Sequence, residues 1–376
     1  MIAAYYLVLF VLSIYSFTQI DLNLTLFQNS VFLYFQQLVV SLGYYNRPLS
    51  SIIYFALILI LVIFNIYFLR LARVGKLNLS KVILLVVPLI ILGFISYPAF
   101  SYDFFNYLFD ARIITKYGQN PWLFKPLDFP ADQWLRFMHW VHRTYPYGPT
   151  WLFLTAPFSY FGFEKLVLTM LNFKIMFIGF YVGSLVMIYK ILNKVDSKNK
   201  LYGLLYYGLN PLVIIESIVS PHIDSAMTFF MLLGFYVLIK EKKGLSFIAL
   251  LFSGGIKFIT LILLPIPFIK KSWQTILDMS FILSFLVLLP VIWQRELNPW
   301  YFLPIISLAA LMKDRFFLKG LTLSVSFGLL LRYLPFIYVG SYPTEVQLAK
   351  NIIVFIPIVI FIVLFYVQKS TNHTKS

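Results

Sequence analysis

Long apolar runs recur from one end of the chain to the other, separated by short polar breaks. "SSIIYFALILILVIFNIYFL" and "NIIVFIPIVIFIVLFYV" are two of them. Each approaches the roughly 20 apolar residues that a helix needs to cross a bilayer. The pattern predicts an all-α polytopic membrane protein. Further segments fall at 82–97, 166–189, 201–219, 222–239, 273–292, 299–312, 320–338 and 348–367, with shorter ones at 245–256 and 258–268. The run 148–162 is short and carries prolines at 149 and 157, so it reads as a re-entrant or surface-lying helix. The region 21–49 is ambiguous and fits an outer loop with an interfacial helix around "VFLYFQQLVVSL". The sum is about 11 transmembrane helices plus outer juxtamembrane and re-entrant helices. They make one integral membrane domain over 1–376, with no soluble domain, linker or internal repeat.

Composition agrees. The chain is 61% hydrophobic and 12% charged, with a mean hydropathy of +0.86; a soluble domain carries about a quarter charged residues. The first segment lacks a basic start and a clear small-x-small site, so it reads as a retained span rather than a cleaved signal. There are no cysteines, so disulfides and thiolate metal sites are excluded. The net charge of +16 does not point to nucleic acid, because basic residues in such a chain mark cytoplasmic loops.

Those loops orient the segments. Basic clusters at 70–76, 190–200, 240–243, 270–271, 313–319 and the C-terminal tail are placed in the cytoplasm. Both termini are then cytoplasmic, in a plasma (cytoplasmic) membrane. Between Lys81 and Lys190 the chain must leave and return, and counting 148–162 as a full crossing would leave Lys190 outside. The stretch 98–162 is therefore expected to be an extracytoplasmic loop with juxtamembrane and re-entrant helices. Five polar places fall on that same side: 98–147, "SPHID" (220–224), the "GGIK" break (254–257), "RELNPWY" (295–301) and "GSYPTE" (340–345).

Candidate chemistry gathers there. In "SYDFFNYLFDAR" the residues Asp103, Asn106, Tyr107 and Asp110 share one helix face. Phe105, Leu108, Phe109, Arg112 and Lys116 share the other, as suits a helix lying at the headgroup layer. Asp103 stands where the preceding span ends and is the candidate base; the plainer reading has both acids as solvated loop residues. "HIDSA" puts His222 and Asp224 at an outer turn, with Glu216 in the membrane just before it. Asp224 could equally cap the helix that starts at Ser225. His139 and His142 stand three apart but lack a third ligand in sight, so we read them as surface histidines. Lys257 follows "SGG", and glycines and lysine together suggest a cavity-lining break that binds an anion such as phosphate. The alternative is a snorkelling lysine, and Arg332 has the same two readings. Trp300 and Tyr301 in "NPWY" suit an interfacial belt and would also stack on sugar rings. "TYPYGPTW", which contains Tyr147, reads as a rigid turn into the re-entrant helix.

In this order, "YDFFNYLFDARIITKYGQNPW", "YPYGPTW", "NPLVIIE", "HIDSAM", a lysine after small residues and "NPWY" resemble the GT-C superfamily of membrane glycosyltransferases. The chain is most similar to the polyprenol-phosphomannose-dependent mannosyltransferases of bacterial lipoglycan synthesis, over roughly 80–312. The resemblance implies a lipid-linked sugar donor, an extracytoplasmic active site and inversion at the anomeric carbon. It makes Asp103 the base, carries His222 and Asp224 over as site residues, and makes Lys257 a phosphate-binding candidate. No Asp-x-Asp pair stands in the loop, so a divalent metal requirement stays open and no cofactor is assigned.

The expected reaction moves a hexose, mannose by resemblance, from a polyprenyl-phosphate sugar to a glycan or glycolipid acceptor. Lys257, Arg332 and Arg112 are candidates to stabilise the departing phosphate. Asn106, Tyr107, Asp110, Tyr147, Glu216, His222, Asp224, Trp300 and Tyr301 are candidates to hold sugar or acceptor. Two rival readings are a secondary transporter, suggested by the broken helix at 254–257 and Glu216, and a lipid-linked oligosaccharide ligase using a diphosphate donor.

Overall fold

In the computed structural model, residues 1–294, 296–313 and 315–373 are described. Arg295 of the "RELNPWY" turn, Asp314 of the 313–319 loop and the last three residues of the tail lie outside the described residues. All regular structure among the described residues is helical.

Helix starts follow local capping chemistry. After α1 (Ile2–Ser16), α2 (Ser30–Val40) begins at Asn29, whose side chain accepts from Val31 N–H. α3 (Arg47–Arg73) has Pro48 in its first turn, and Asn78 caps α4 (Leu79–Ile95) through Lys81 N–H. α5 (Asp103–Thr115) and α6 (Pro149–Tyr160) bracket the long polar loop and precede the 30-residue α7 (Leu166–Val195). α8 (Lys200–Gly208) and α9 (Pro211–Ile214) form a bent pair with a 56° break. Asn210 caps the second member through Leu212 N–H, Pro211 opens it, and it runs on in π geometry to Val219. α10 (Asp224–Ile239) and α11 (Lys243–Ile256) make a tight hairpin. The remainder is α12 (Trp273–Leu286), α13 (Leu288–Gln294), α14 (Leu303–Leu311), α15 (Phe316–Leu331), α16 (Tyr333–Val339), α17 (Thr344–Ile353) and α18 (Phe355–His373).

Among the described residues, 6 helices are long and apolar enough to cross a membrane, or 7 if the bent pair is one span. Shorter apolar helices lie at Leu79–Ile95, Asp224–Ile239, Lys243–Ile256, Phe258–Phe268 and Pro299–Leu311. A count of about 11 requires these to cross as well. The molecule is a polytopic all-α membrane protein. α6, with 12 residues, spans about 18 Å, short of about 30 Å of hydrocarbon.

Two apolar cores organise the chain. The larger joins α1, α3, α4, α7, α8, α14 and α15. The second is aromatic and joins α5, α6, the N-terminal half of α7 and the start of α10. It corrects one expectation. The aromatic face of α5 does not lie open at a headgroup layer. Phe105, Leu108 and Phe109 are buried, and Phe105 packs edge-on against Phe137 of the polar loop. The loop 116–148 folds over α5, so the aromatics that looked like a lipid-facing stripe are the helix's attachment to protein.

Candidate active site

α5 presents its polar face as a row of side chains with few partners. Asp103 opens the helix, and its N–H donates to Ser101 Oγ at 3.1 Å. Its carboxylate is half-buried and has no hydrogen bond or ion pair among the described residues. One turn on, Asn106 donates to Trp140 O at 3.3 Å, while its Oδ1 is buried with no partner. Asp110 is buried and likewise unpaired among the described residues. Burial pushes its carboxyl up to about 8; Arg143 opposes the shift and Asp103 adds to it. Tyr107 is buried between Tyr147 and Trp151, each ring edge-on at 5.5 Å.

The opposite wall is the bend after α9. Glu216, in the π segment, accepts from Tyr333 OH at 2.8 Å, and its other oxygen lies 2.8 Å from His222 Nδ1. The His222 ring stacks on Trp300 at 3.8 Å and 12°, and its Nε2 is buried without a partner. Asp224 is the first residue of α10, where the positive helix end favours a carboxylate. The cap position is Ile223, so Asp224 is not the capping residue that the sequence allowed. Instead both its oxygens accept from Lys257 Nζ at 3.0 Å. That ammonium also lies 3.9 Å from the centre of the Tyr301 ring. Lys257 therefore neither snorkels nor stands free as an anion trap. Two of its three N–H bonds are engaged, which leaves one.

Tyr107 is close enough to both Asp103 and Asp224 to feel their charge, which makes the two walls neighbours. Tight packing at two glycines closes the corner. Gly148 N–H donates to Ile256 O at 3.1 Å, and a Cβ on Gly148 would overlap Gly255 O. The "GG" before Lys257 thus permits the "YPYGP" turn to press against the end of α11, which sets Tyr147 near Lys257's segment.

Of the residues singled out in the sequence, Asp103, Asn106, Tyr107, Asp110, Tyr147, Glu216, His222, Asp224, Lys257, Trp300 and Tyr301 come to this one region. Two cations do not. Arg112 lies on the far side of α5, bonded to Asp132 at 2.7 Å and packed 4.0 Å over Trp134. Asp132 itself is lowered: burial raises it, but Tyr117 OH, Trp134 N–H and Arg112 outweigh that. Arg332 is buried next to the site but is held by Glu296 at 3.1 Å and Asn351 at 2.8 Å. Both guanidinium groups are thus already engaged by carboxylates. Conversely, Arg143 and Tyr333 belong to the site and were not foreseen. Arg143 faces Asp110 and Tyr147 from the polar loop. Tyr333 sits on a helix more than a hundred residues from Glu216, and no local pattern in the sequence could have linked them.

His139 stacks on Tyr102 at 3.5 Å and lies 3.8 Å from Asp21. Among the described residues no group of three or more His, Asp or Glu side chains is arranged to hold a metal ion.

A family model described as alpha-(1->6)-mannopyranosyltransferase, N-terminal domain, matches residues 30–273, well over half of the chain. No curated protein and no solved structure matches.

Proposed function

The chain belongs to the alpha-(1->6)-mannopyranosyltransferase family, and we propose that it moves mannose from a polyprenyl-phosphate donor to a glycan or glycolipid acceptor at the outer face of the cytoplasmic membrane. Both termini then lie in the cytoplasm, and 98–162 is the extracytoplasmic segment. An alpha-(1->6) product means that the acceptor is a primary hydroxyl.

The observation that carries this reading is the unpaired carboxylate of Asp103 on the wall facing a prearranged Asp224–Lys257 pair. In a single displacement, Asp103 takes the proton of the acceptor hydroxyl. The acceptor oxygen bonds to the anomeric carbon, and the bond from that carbon to the phosphate oxygen breaks with inversion. The electron pair leaves on polyprenyl phosphate. Phosphate is already a good leaving group, so no general acid is obligatory. The remaining N–H of Lys257 meets the growing negative charge, held in place before the reaction begins. Asp224 fixes the lysine and Tyr301 lies under it. His222 and Trp300, stacked on one another, offer a flat wall for a sugar ring, and Glu216 fixes the imidazole. Asn106, Asp110, Tyr107 and Tyr147 line the acceptor side, where orphaned acceptors can receive sugar hydroxyls.

The test is reconstitution in liposomes with one donor at a time. Polyprenyl-phosphate mannose should give a mannosylated acceptor, while a polyprenyl-diphosphate sugar or a nucleotide sugar should not. Product from the diphosphate donor alone would replace this reading with an oligosaccharide ligase.

A further inference from the structure

α7 carries a lysine deep in the protein that no step above uses. Lys174 is 3% exposed, and no carboxylate pairs with it among the described residues. Its ammonium instead donates to three backbone carbonyls: Gly93 O at 3.2 Å, Ile218 O at 2.8 Å and Val219 O at 2.6 Å. Three donors meet three acceptors, so the group is fully satisfied. The acceptors belong to two helix ends. Gly93 lies in the last turn of α4, and Ile218 with Val219 ends the π segment after α9. Carbonyls in a last helical turn lack intrahelical partners and form the negative end of the helix dipole. A buried cation here binds both ends at once.

These two ends lead into the two walls of the site. Ten residues after Gly93 comes Asp103. Three and five residues after Val219 come His222 and Asp224. The two segments also touch directly. A Cβ on Gly93 would overlap Ile218 Cγ2, and Phe100 N–H donates to Ser220 Oγ at 3.2 Å.

We infer that Lys174 is a positioning residue: by binding the ends of α4 and of the bend after α9, it sets the distance between Asp103 and the His222–Asp224 wall. The inference rests on the transfer reaction proposed above for its kinetic readout, but not for its structural one.

The test uses Lys174→Arg, Lys174→Gln and Lys174→Met in the full-length chain. Each is combined with Ala99→Cys, a half-buried position next to Phe100, whose N–H bonds Ser220 at the junction, in a chain without native cysteine. Labelling of the introduced thiol by a maleimide reports opening of the junction and needs no substrate. It should speed up in the order Arg, Gln, Met as donors are lost. The turnover number should fall in the same order, by about a hundredfold for Lys174→Met if the walls part by about 1 Å. The donor KM should stay unchanged, a split that general loss of folded protein would not give. Unchanged thiol labelling across the series, or wild-type turnover in Lys174→Met, overturns the inference. Should Lys174→Met not fold, the Arg and Gln variants decide by the same two readouts. If no donor supports transfer but labelling still follows the series, the transfer proposal fails and the role of Lys174 at the junction stands.

Discussion

On α5, Asp103 and Asp110 have no side-chain partner among the described residues. Across the site, Glu216 is held by Tyr333 and His222, and Asp224 by both of its oxygens on Lys257. Both walls are acidic and largely buried, yet the carboxylates of one are paired and those of the other are not. A paired carboxylate is fixed before substrate arrives, and removing its partner leaves a buried charge alone. A bare carboxylate is free to take a proton. The division of labour follows: the 216–257 wall holds and polarises, and the α5 wall reacts and receives hydroxyls.

The contrast fails most visibly at Asp103. Replacing it with Asn should slow transfer by roughly 10² to 10⁴-fold, the usual worth of a positioned base, with the melting temperature in detergent unchanged. Near-normal turnover would remove Asp103 from the chemistry. On the paired wall the effect should be on stability. Lys257→Met leaves Asp224 buried and uncompensated, which should cost about 3 kcal/mol, seen as a large drop in melting temperature. The double change Lys257→Met with Asp224→Leu should recover much of that loss without recovering turnover. A smaller effect is expected from Tyr333→Phe, which strips Glu216 of its hydroxyl donor. It should cost about 1 to 3 kcal/mol, and a neutral outcome would mean the Glu216 network is not rigid.

A further prediction separates the two bare acids by pH. Burial raises the Asp110 carboxyl to about 8 in the folded chain, far above an unfolded aspartate. The folded state then holds the extra proton between the two values. Its stabilisation is complete below about pH 4 and is lost as pH rises towards 8. Melting temperature should therefore decline across that window, and Asp110→Asn should flatten the decline. An identical pH profile in the variant would contradict the burial account.

Much of this was legible in the sequence because it is periodic or local. Helical spacing put Asp103, Asn106, Tyr107 and Asp110 on one face, and the apolar runs marked the membrane class. The "YPYGP" turn marked α6 and "NPWY" the segment at Pro299, but the break at Pro211 was missed inside the span read over 201–219. Long-range pairing was not legible. Lys257 looked like an isolated anion site because its partner, Asp224, is 33 residues away. Arg112 looked available because Asp132, 20 residues on, carries no signal of its fold-back. The aromatic stripe of α5 has the same composition whether it meets lipid or a folded loop, so hydropathy could not tell them apart. Tyr333 and Lys174 act through contacts across the bundle that no window of sequence contains.

The central claim is that the donor sugar lies between the two walls, its anomeric carbon one acceptor oxygen away from Asp103. Photolabelling would measure this directly, with a polyprenyl-phosphate mannose analogue carrying a diazirine on the sugar, followed by peptide mapping. Adducts on both the 103–110 stretch and the 220–257 stretch, competed away by unlabelled donor, are the expected result. Competed adducts confined to one of the two stretches would contradict the account.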